Sequence, residues 1–473
     1  MHPPLTRRRV RLRPGPPSVR LEVGLGKTET RQVVYSLGKA RNVTEAPLLK
    51  HTERHVDLAA KIASREAHIA VLGMGYVGRP LALGFRDAGF RVTGFDPDPE
   101  RVAVEAPGLE LTANRDELGS ADIWIVCVPT PLDAGKPDLS LVRDAARFVG
   151  SRWKPGDLVV LESTSYPGTT REVLLPEILE AARIVGRDPE QGRDLFVAYS
   201  PERMDPGRAV PPLEAIPKVV GGLDESSGLL ATQVYGALFD EVVSVSSAEV
   251  AEAAKLWENM YRSVNIALAN EIKTVLSAMD VDAHEVLAAA ATKPFGFQPF
   301  VPGPGPGGHC IPVDPAYFRL KAERLGVPTP LLDATDQVHK TIPTWVIDRL
   351  ERALESRGKT LDGSRILVLG VAYKPDIADT RESPALTVLT ELEARGARAA
   401  YVDPFVPSLT LTRRFHAVDL SRDRVKDADA VVLLTNHRTL DLGLVARHAS
   451  LIVDTRNAFA PYATSLGPRW IPA

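Results

Sequence analysis

Cysteine is almost missing: the 473 residues hold two, Cys127 and Cys310. Two thiols cannot build a disulfide framework, and so low a count suits a reducing, cytoplasmic setting. An excess of one charge sign is missing too. The net charge is −3 at pH 7, so no global field draws the chain to nucleic acid. No apolar run is long enough to cross a bilayer, which sets a membrane span aside. No metal is expected. The first fifty residues differ from the rest: they hold eleven Lys and Arg against three Glu and no Asp, a net +8. Their opening is rich in Arg and Pro, without a helical or strand period and without the apolar stretch of a secretory signal. Residues 1–66 therefore read as a disordered extension followed by a helical lead-in.

A chain of this length can bury two or three cores. The run from His68 to Gly73 reads as a buried parallel strand. A glycine turn, a helix over 79–88 and a strand over 91–95 follow, and further strands are expected at 123–128, 158–161, 195–198 and 218–220. Strands alternating with helices imply an α/β fold with a doubly wound parallel sheet. The second half repeats the opening, with a strand from Arg365 to Gly370, a helix over 384–395, a strand ending at Asp403 and another within 427–435. The expected organisation is two Rossmann-like domains, 67–245 and 346–473, joined by a helical region at 246–345. A long helix of about 248–279 is expected there, with Ser246 and Glu249 as a capping box. Val250, Ala254, Trp257, Tyr261, Val264, Leu268 and Val275 form an apolar stripe along it. Such a helix can pair with its copy in a second subunit.

Gly73-Met-Gly75-Tyr-Val-Gly78 stands between the first strand and helix. These glycines permit a tight turn, close approach of a pyrophosphate, and close packing of helix on strand. The helix N-terminus favours phosphate charge. Asp96, at the end of the next strand, suits the ribose hydroxyls of NAD and repels the 2′-phosphate of NADP. Cys310 lies in a Gly/Pro loop, Pro302-Gly-Pro-Gly-Pro-Gly-Gly-His-Cys-Ile-Pro-Val-Asp-Pro315, which can display a nucleophilic thiol. Cys127, mid-strand, reads as core. Lys255 and Asn259 are four apart and share a helix face, where an ammonium and an amide can steady an oxyanion. Asp314 either orients Lys255 or caps a turn. Glu162 and Glu202 fall just beyond strand ends, where sites in open α/β sheets lie.

These motifs, with Val-Pro-Thr-Pro, Tyr-Ser-Pro-Glu-Arg, Ala-Lys-Leu-Trp-Glu-Asn and Gly-Val-Ala-Tyr-Lys-Pro, resemble those of the UDP-glucose/GDP-mannose dehydrogenase family, in the same order from about Ala67 to the C-terminus. The resemblance implies an NAD domain, a central dimerisation region, a UDP-binding domain and a homodimer or larger assembly. It implies a four-electron oxidation of the C6 alcohol of a UDP-sugar through a Cys310 thiohemiacetal and thioester. Lys255 and Asn259 would then steady the oxyanion and water, Thr130 and Glu202 would handle proton and water, and Asp314 would support the cysteine. The cofactor contacts implied are Gly73, Gly75, Tyr76, Val77, Gly78, Asp96, Arg101, Pro129, Thr130, Glu162 and Arg381, the last on the pyrophosphate. The substrate contacts implied are Glu202, Arg203, Lys255, Asn259, Arg262, Phe300, Gly307 and Lys374.

Two departures from the UDP-glucose pattern resemble the N-acetylhexosamine branch: Asp205-Pro-Gly follows the Ser-Pro-Glu where a second acid usually comes shortly after, and Val313 stands where Lys is usual. Thr292-Lys-Pro-Phe-Gly-Phe297, before the cysteine loop, resembles the N-acetylglucosamine enzymes in particular. UDP-N-acetylglucosamine is the expected substrate, with UDP-N-acetylmannosamine and UDP-glucose as alternatives. A two-electron β-hydroxyacid dehydrogenase would lack the cysteine loop and the second nucleotide domain. A non-catalytic nucleotide-binding protein would not need the set Cys310, Lys255, Asn259 and Asp314.

Overall fold

Ile69, Ala70, Val71 and Leu72 are all buried in the first strand, His68–Leu72. That is the pattern of a parallel strand covered on both faces. The computed structural model of the protein describes residues 52–103, 106–133, 135–204 and 212–473. The basic segment 1–50 and the Asp205-Pro206-Gly207 run lie outside the described residues. The helical lead-in is the helix Glu53–Ser64, capped by Thr52.

From edge to edge the first sheet runs Val242–Val245, Lys218–Gly222, Phe196–Tyr199, Leu158–Leu161, Ile123–Val126, His68–Leu72, Arg91–Phe95 and Glu110–Thr112. Its side chains alternate between two cores. Leu72, Trp124, Val126 and Leu161 enter one, while Ile69, Val71, Ile125 and Val160 enter the other. Six strands are parallel. Lys218–Gly222 instead pairs antiparallel with Phe196–Tyr199, and Val242–Val245 follows it in parallel. A parallel return needs a covering helix, and the described part of this connection holds only the turn Leu213–Ala215. The second sheet is wholly parallel, in the order Arg398–Val402, Arg365–Leu369, Ala430–Leu433, Ile452–Asp454 and Trp470–Pro472. A mainly parallel sheet and a wholly parallel one, both helix-covered, with a long helix between them make the expected α/β architecture, and Thr52–Ala473 packs as one unit.

The long helix, Ala248–Ala278, has 31 residues and spans about 46 Å. Its cap is Ser247, not Ser246: Ser247 is extended and its hydroxyl accepts the Val250 N–H. The expected capping box fails because the cap falls one residue later, and Glu249 pairs with Arg171 at 2.7 Å. The buried face of this helix mixes apolar residues such as Leu256 and Met260 with charged and polar ones. Glu252, Lys255, Asn270 and Lys273 are buried. Trp257 is 70% exposed and Leu268 53%, with Val250, Tyr261 and Val275 exposed beside them. The expected apolar stripe therefore points away from the protein's own core.

Candidate active site

The glycine turn leaves no room for side chains at its ends. Gly73 has φ +99, and a Cβ there would meet the Cys127 carbonyl oxygen at 2.5 Å. A Cβ at Gly78 would lie 1.8 Å from the Gly73 oxygen. At Gly75 the nearest neighbour is an Arg101 nitrogen, 3.6 Å away. The helix Gly78–Asp87 begins without a side-chain cap, which leaves backbone N–H groups to face a phosphate. Buried Asp96 accepts from the Met74 N–H at 2.8 Å, the Asp98 N–H at 3.0 Å and Arg101 at 3.2 Å. Asp96 thus ties down the turn as well as standing where a ribose would be read. Tyr76 and Pro129 are exposed, Val77 is half-buried and Thr130 is buried. An uncapped helix end, a glycine floor and an acid at the next strand fit NAD.

The cysteine loop is pressed against the second domain. A Cβ on Gly307 would lie 2.6 Å from the Tyr373 Cβ, and one on Gly308 (φ +83) would lie 2.7 Å from the Tyr373 ring. The Gly308 N–H donates to the Arg381 carbonyl at 2.9 Å. Further back, Gly303 donates to Asn270 at 2.9 Å and accepts from Lys273 at 3.0 Å. Burial and neighbouring arginines push Lys273 down to about 7.

Cys310 opens the helix Cys310–Arg324. It can be reached from solvent, yet protein surrounds it on most sides, and that burial pushes its thiol up. Asp314 adds to the rise, while Lys255, Lys374 and Arg381 oppose it. Asp314 is buried one turn on, and Asn259 donates to its carboxylate. Burial holds its pKa up at about 6, against the pull of Lys255 and Asn259. Cys310, Lys255, Asn259, Asp314 and Lys374 are thus brought together, and Asp314 does more than cap a turn. Thr130 joins them through its carbonyl, which accepts from Tyr317 of the cysteine helix at 3.1 Å. The Arg381 guanidinium lies 5.5 Å from the Tyr76 ring, at the glycine turn, and is gripped by Asp379 at 2.6 Å.

Other expected residues are placed differently. Glu162 is turned into the protein: its side chain has no exposure, Lys218 holds one oxygen at 2.7 Å and the Tyr235 hydroxyl holds the other. The strand end points this acid down into the core. Arg203 is committed to Glu258 at 2.7 Å and to the Pro217 carbonyl. Glu202 accepts from the Met204 N–H, and its charge bears on Glu162 and Cys127. Arg262, seven residues past Lys255, is on the same helix face. Phe300 meets the Tyr261 ring edge-on at 5.8 Å. Sequence reading missed Glu252, which is fully buried. It accepts from the Gly168 N–H at 2.5 Å and from the Thr170 N–H and hydroxyl at 2.8 and 2.7 Å, and burial raises it to about 7. A Glu off the expected apolar stripe reads as solvent-facing, so the sequence held no local signal for it.

Three domain descriptions of the UDP-glucose/GDP-mannose dehydrogenase family match this chain: the NAD binding domain over 103–239, the central domain over 249–341 and the UDP binding domain over 367–461. The UDP-N-acetyl-D-glucosamine 6-dehydrogenase of Salmonella typhi is 33% identical over 392 residues, covering 79% of this chain and 90% of that one. The chain belongs to this family. It is an NAD-dependent UDP-sugar dehydrogenase. The UDP-N-acetyl-D-mannosamine dehydrogenase of Pyrococcus horikoshii is also 33% identical, over 418 residues, covering 82% and 95% of the two chains. The solved structure of the UDP-D-ManNAc dehydrogenase from Pyrococcus horikoshii superposes with a TM-score of 0.73 at 30% identity, over 82% and 95% of the chains. The NAD-domain match begins past the glycine turn, so the placing of NAD at Gly73–Gly78 rests on geometry. No helix among the described residues of this dehydrogenase is long and apolar enough to cross a membrane.

Proposed function

We propose that the enzyme oxidises C6 of UDP-N-acetylglucosamine from alcohol to carboxylate, with Cys310 as the covalent nucleophile. The observation that carries the reading is the gathering of Lys255, Asn259, Asp314 and Lys374 around the Cys310 thiol. The alcohol loses a hydride and a proton and becomes an aldehyde. The Cys310 thiol adds across the C=O: a C–S bond forms, and the thiol proton ends on the oxygen. Loss of a second hydride and proton leaves a thioester. Water breaks the C–S bond, the thiol is restored and the acid is released. Bound NAD supplies the hydride acceptor for both oxidations, two per sugar. Lys255 faces the thiol and favours its thiolate. Lys255 and Asn259 share the face that would steady the oxyanion. The second oxygen of Asp314 is buried and has no hydrogen-bond partner among the described residues.

The acetamido sugar is supported by Val313, which is buried beside Asp314, and by the relatives' substrates. A pocket with a partner for the acetamide leaves that partner unpaired with UDP-glucose, at a cost of about 1–3 kcal/mol, or about tenfold to a hundredfold in kcat/KM. Purified enzyme with NAD and each UDP-sugar, followed by NADH absorbance, tests both parts. Two NADH per sugar and a preference for UDP-N-acetylglucosamine are expected. One NADH per sugar would remove the thioester route, while preference for the mannosamine epimer would revise only the sugar. The exposed stripe from Val250 to Val275 is the proposed contact with a second copy of the chain.

A further inference from the structure

The two domains share a strand-end acid but use it differently. Asp96, in the first, keeps one edge toward the cofactor turn. Asp403, its counterpart after Arg398–Val402, is turned fully inward. One of its oxygens accepts from the N–H groups of Val371 and Ala372 at 2.7 and 3.1 Å, and the other from Phe405 and Val406 at 2.9 and 3.1 Å. His437 Nε2 lies 2.9 Å from the first oxygen. Both side chains are wholly buried. The tautomer of His437 follows from its other nitrogen: the Asp376 N–H donates to Nδ1 at 2.9 Å, so Nδ1 is an acceptor and Nε2 carries the proton that Asp403 receives.

Asp376 stands two residues past Lys374. It has φ +64, a conformation that a non-glycine residue holds only when its surroundings enforce it. From outside, its carboxylate accepts from the Arg438 N–H at 2.9 Å and from Arg438 Nε at 2.6 Å. Ala372 is held a second way, its carbonyl accepting from the Thr435 hydroxyl at 2.6 Å. The backbone on both sides of Tyr373 and Lys374 is therefore pinned by Asp403, Thr435 and His437. Tyr373 is the surface on which Gly307 and Gly308 of the cysteine loop lie, and Lys374 is close enough to Cys310 to favour its thiolate.

From this chain of contacts we infer that His437 is a positioning residue for the oxidation: the Asp403–His437 pair fixes the 371–376 loop and so sets Lys374 against Cys310 and the sugar nucleotide. The inference rests on the proposed role of Lys374 and names a support behind it. The test uses the full-length enzyme and three variants. His437→Phe keeps the ring that lies against Phe405, 5.0 Å between centroids, but neither donates nor accepts. His437→Gln keeps one donor and one acceptor.

His437→Phe is expected to raise the KM for the UDP-sugar about tenfold with kcat within about threefold, and to leave the KM for NAD unchanged. Iodoacetamide alkylation of Cys310, followed against pH without substrate, is expected to slow about threefold at pH 8, because the thiolate fraction falls as Lys374 moves away. His437→Gln is expected to restore most of both. Unchanged KM and an unchanged alkylation profile in His437→Phe, with NAD binding intact, would overturn the assignment. If His437→Phe also loses NAD binding, Asp376→Gly decides, since it loosens the same loop from its outer carboxylate while tolerating the backbone angle. No change in KM or alkylation there overturns it equally. Because alkylation needs no substrate, a wrong sugar assignment and a wrong positioning role give different results.

Discussion

Asn259 donates to one oxygen of Asp314, and through that bond the long central helix holds the helix that begins at the thiol. The other Asp314 oxygen is buried and has no hydrogen-bond partner among the described residues.

That arrangement sets a pH dependence. Asp314 titrates at about 6 in the folded protein, so below that pH the carboxylate facing Lys255 is lost. The kcat profile should fall on its acid side with a midpoint near 6, about tenfold per pH step beyond it. Asp314→Asn should lack that limb and turn over about 10²–10³-fold more slowly. Stability moves the other way. A carboxyl whose folded pKa is raised weighs against folding once pH is high enough to ionise it. Asp314→Asn should therefore be more stable at pH 7 by about 1–3 kcal/mol, with the gap closing as pH falls toward 4. Urea unfolding at pH 7 and pH 4 checks the sign, and a gap that widens at pH 4 refutes it.

Cys310→Ser should abolish net formation of the acid while leaving NAD affinity within about twofold of wild type, since the lost step is covalent. Full turnover in the serine variant would remove Cys310 as nucleophile. Isothermal titration with NAD provides the binding control.

Asp96→Ala should weaken NAD by about tenfold or more and relax discrimination against NADP. Two interactions go at once, the ribose contact and the bond to the Met74 N–H that shapes the turn. Asp96→Asn keeps an acceptor for that N–H, so its NAD affinity should fall between wild type and alanine. Equal affinities in all three proteins would show that another group reads the ribose.

Glu162→Ala should cost about 3–5 kcal/mol of stability, because it strands the buried Lys218 ammonium. The KM for NAD, measured below the unfolding transition, should not change. A rise in that KM without loss of stability would restore Glu162 to the cofactor.

Trp257→Glu, on the exposed stripe, should leave the stability of the isolated chain within about 0.5 kcal/mol and shift sedimentation from an assembly to a monomer. An unchanged sedimentation coefficient would place the subunit contact elsewhere.

The fold was legible where period and punctuation agree. The strands Arg91–Phe95 and Leu158–Leu161 follow directly from short apolar runs between turn residues. The antiparallel pair at Lys218 did not, because strand direction depends on what the connection can cover and leaves no mark in the strand itself. In the site, Cys310, Lys255, Asn259 and Asp314 were legible because their chemistry is rare in that spacing. The direction of Glu162 was not legible: position beyond a strand end says that a side chain is near the crevice, not which way it turns, and the Lys218 that pairs with it in the core is 56 residues away. His437 left little trace for a related reason. Its meaning lies in Asp376 and Asp403, at separations of 61 and 34 residues, which no local pattern encodes.

The elevated thiol of Cys310 also bears on the durability of this protein. Peroxide and electrophiles attack the thiolate rather than the thiol. A nucleophile whose burial disfavours the thiolate is a slower target for sulfenic acid formation, even though solvent reaches it. Under oxidative stress this cysteine should outlast exposed thiols of ordinary acidity, and its loss should set in at more alkaline pH.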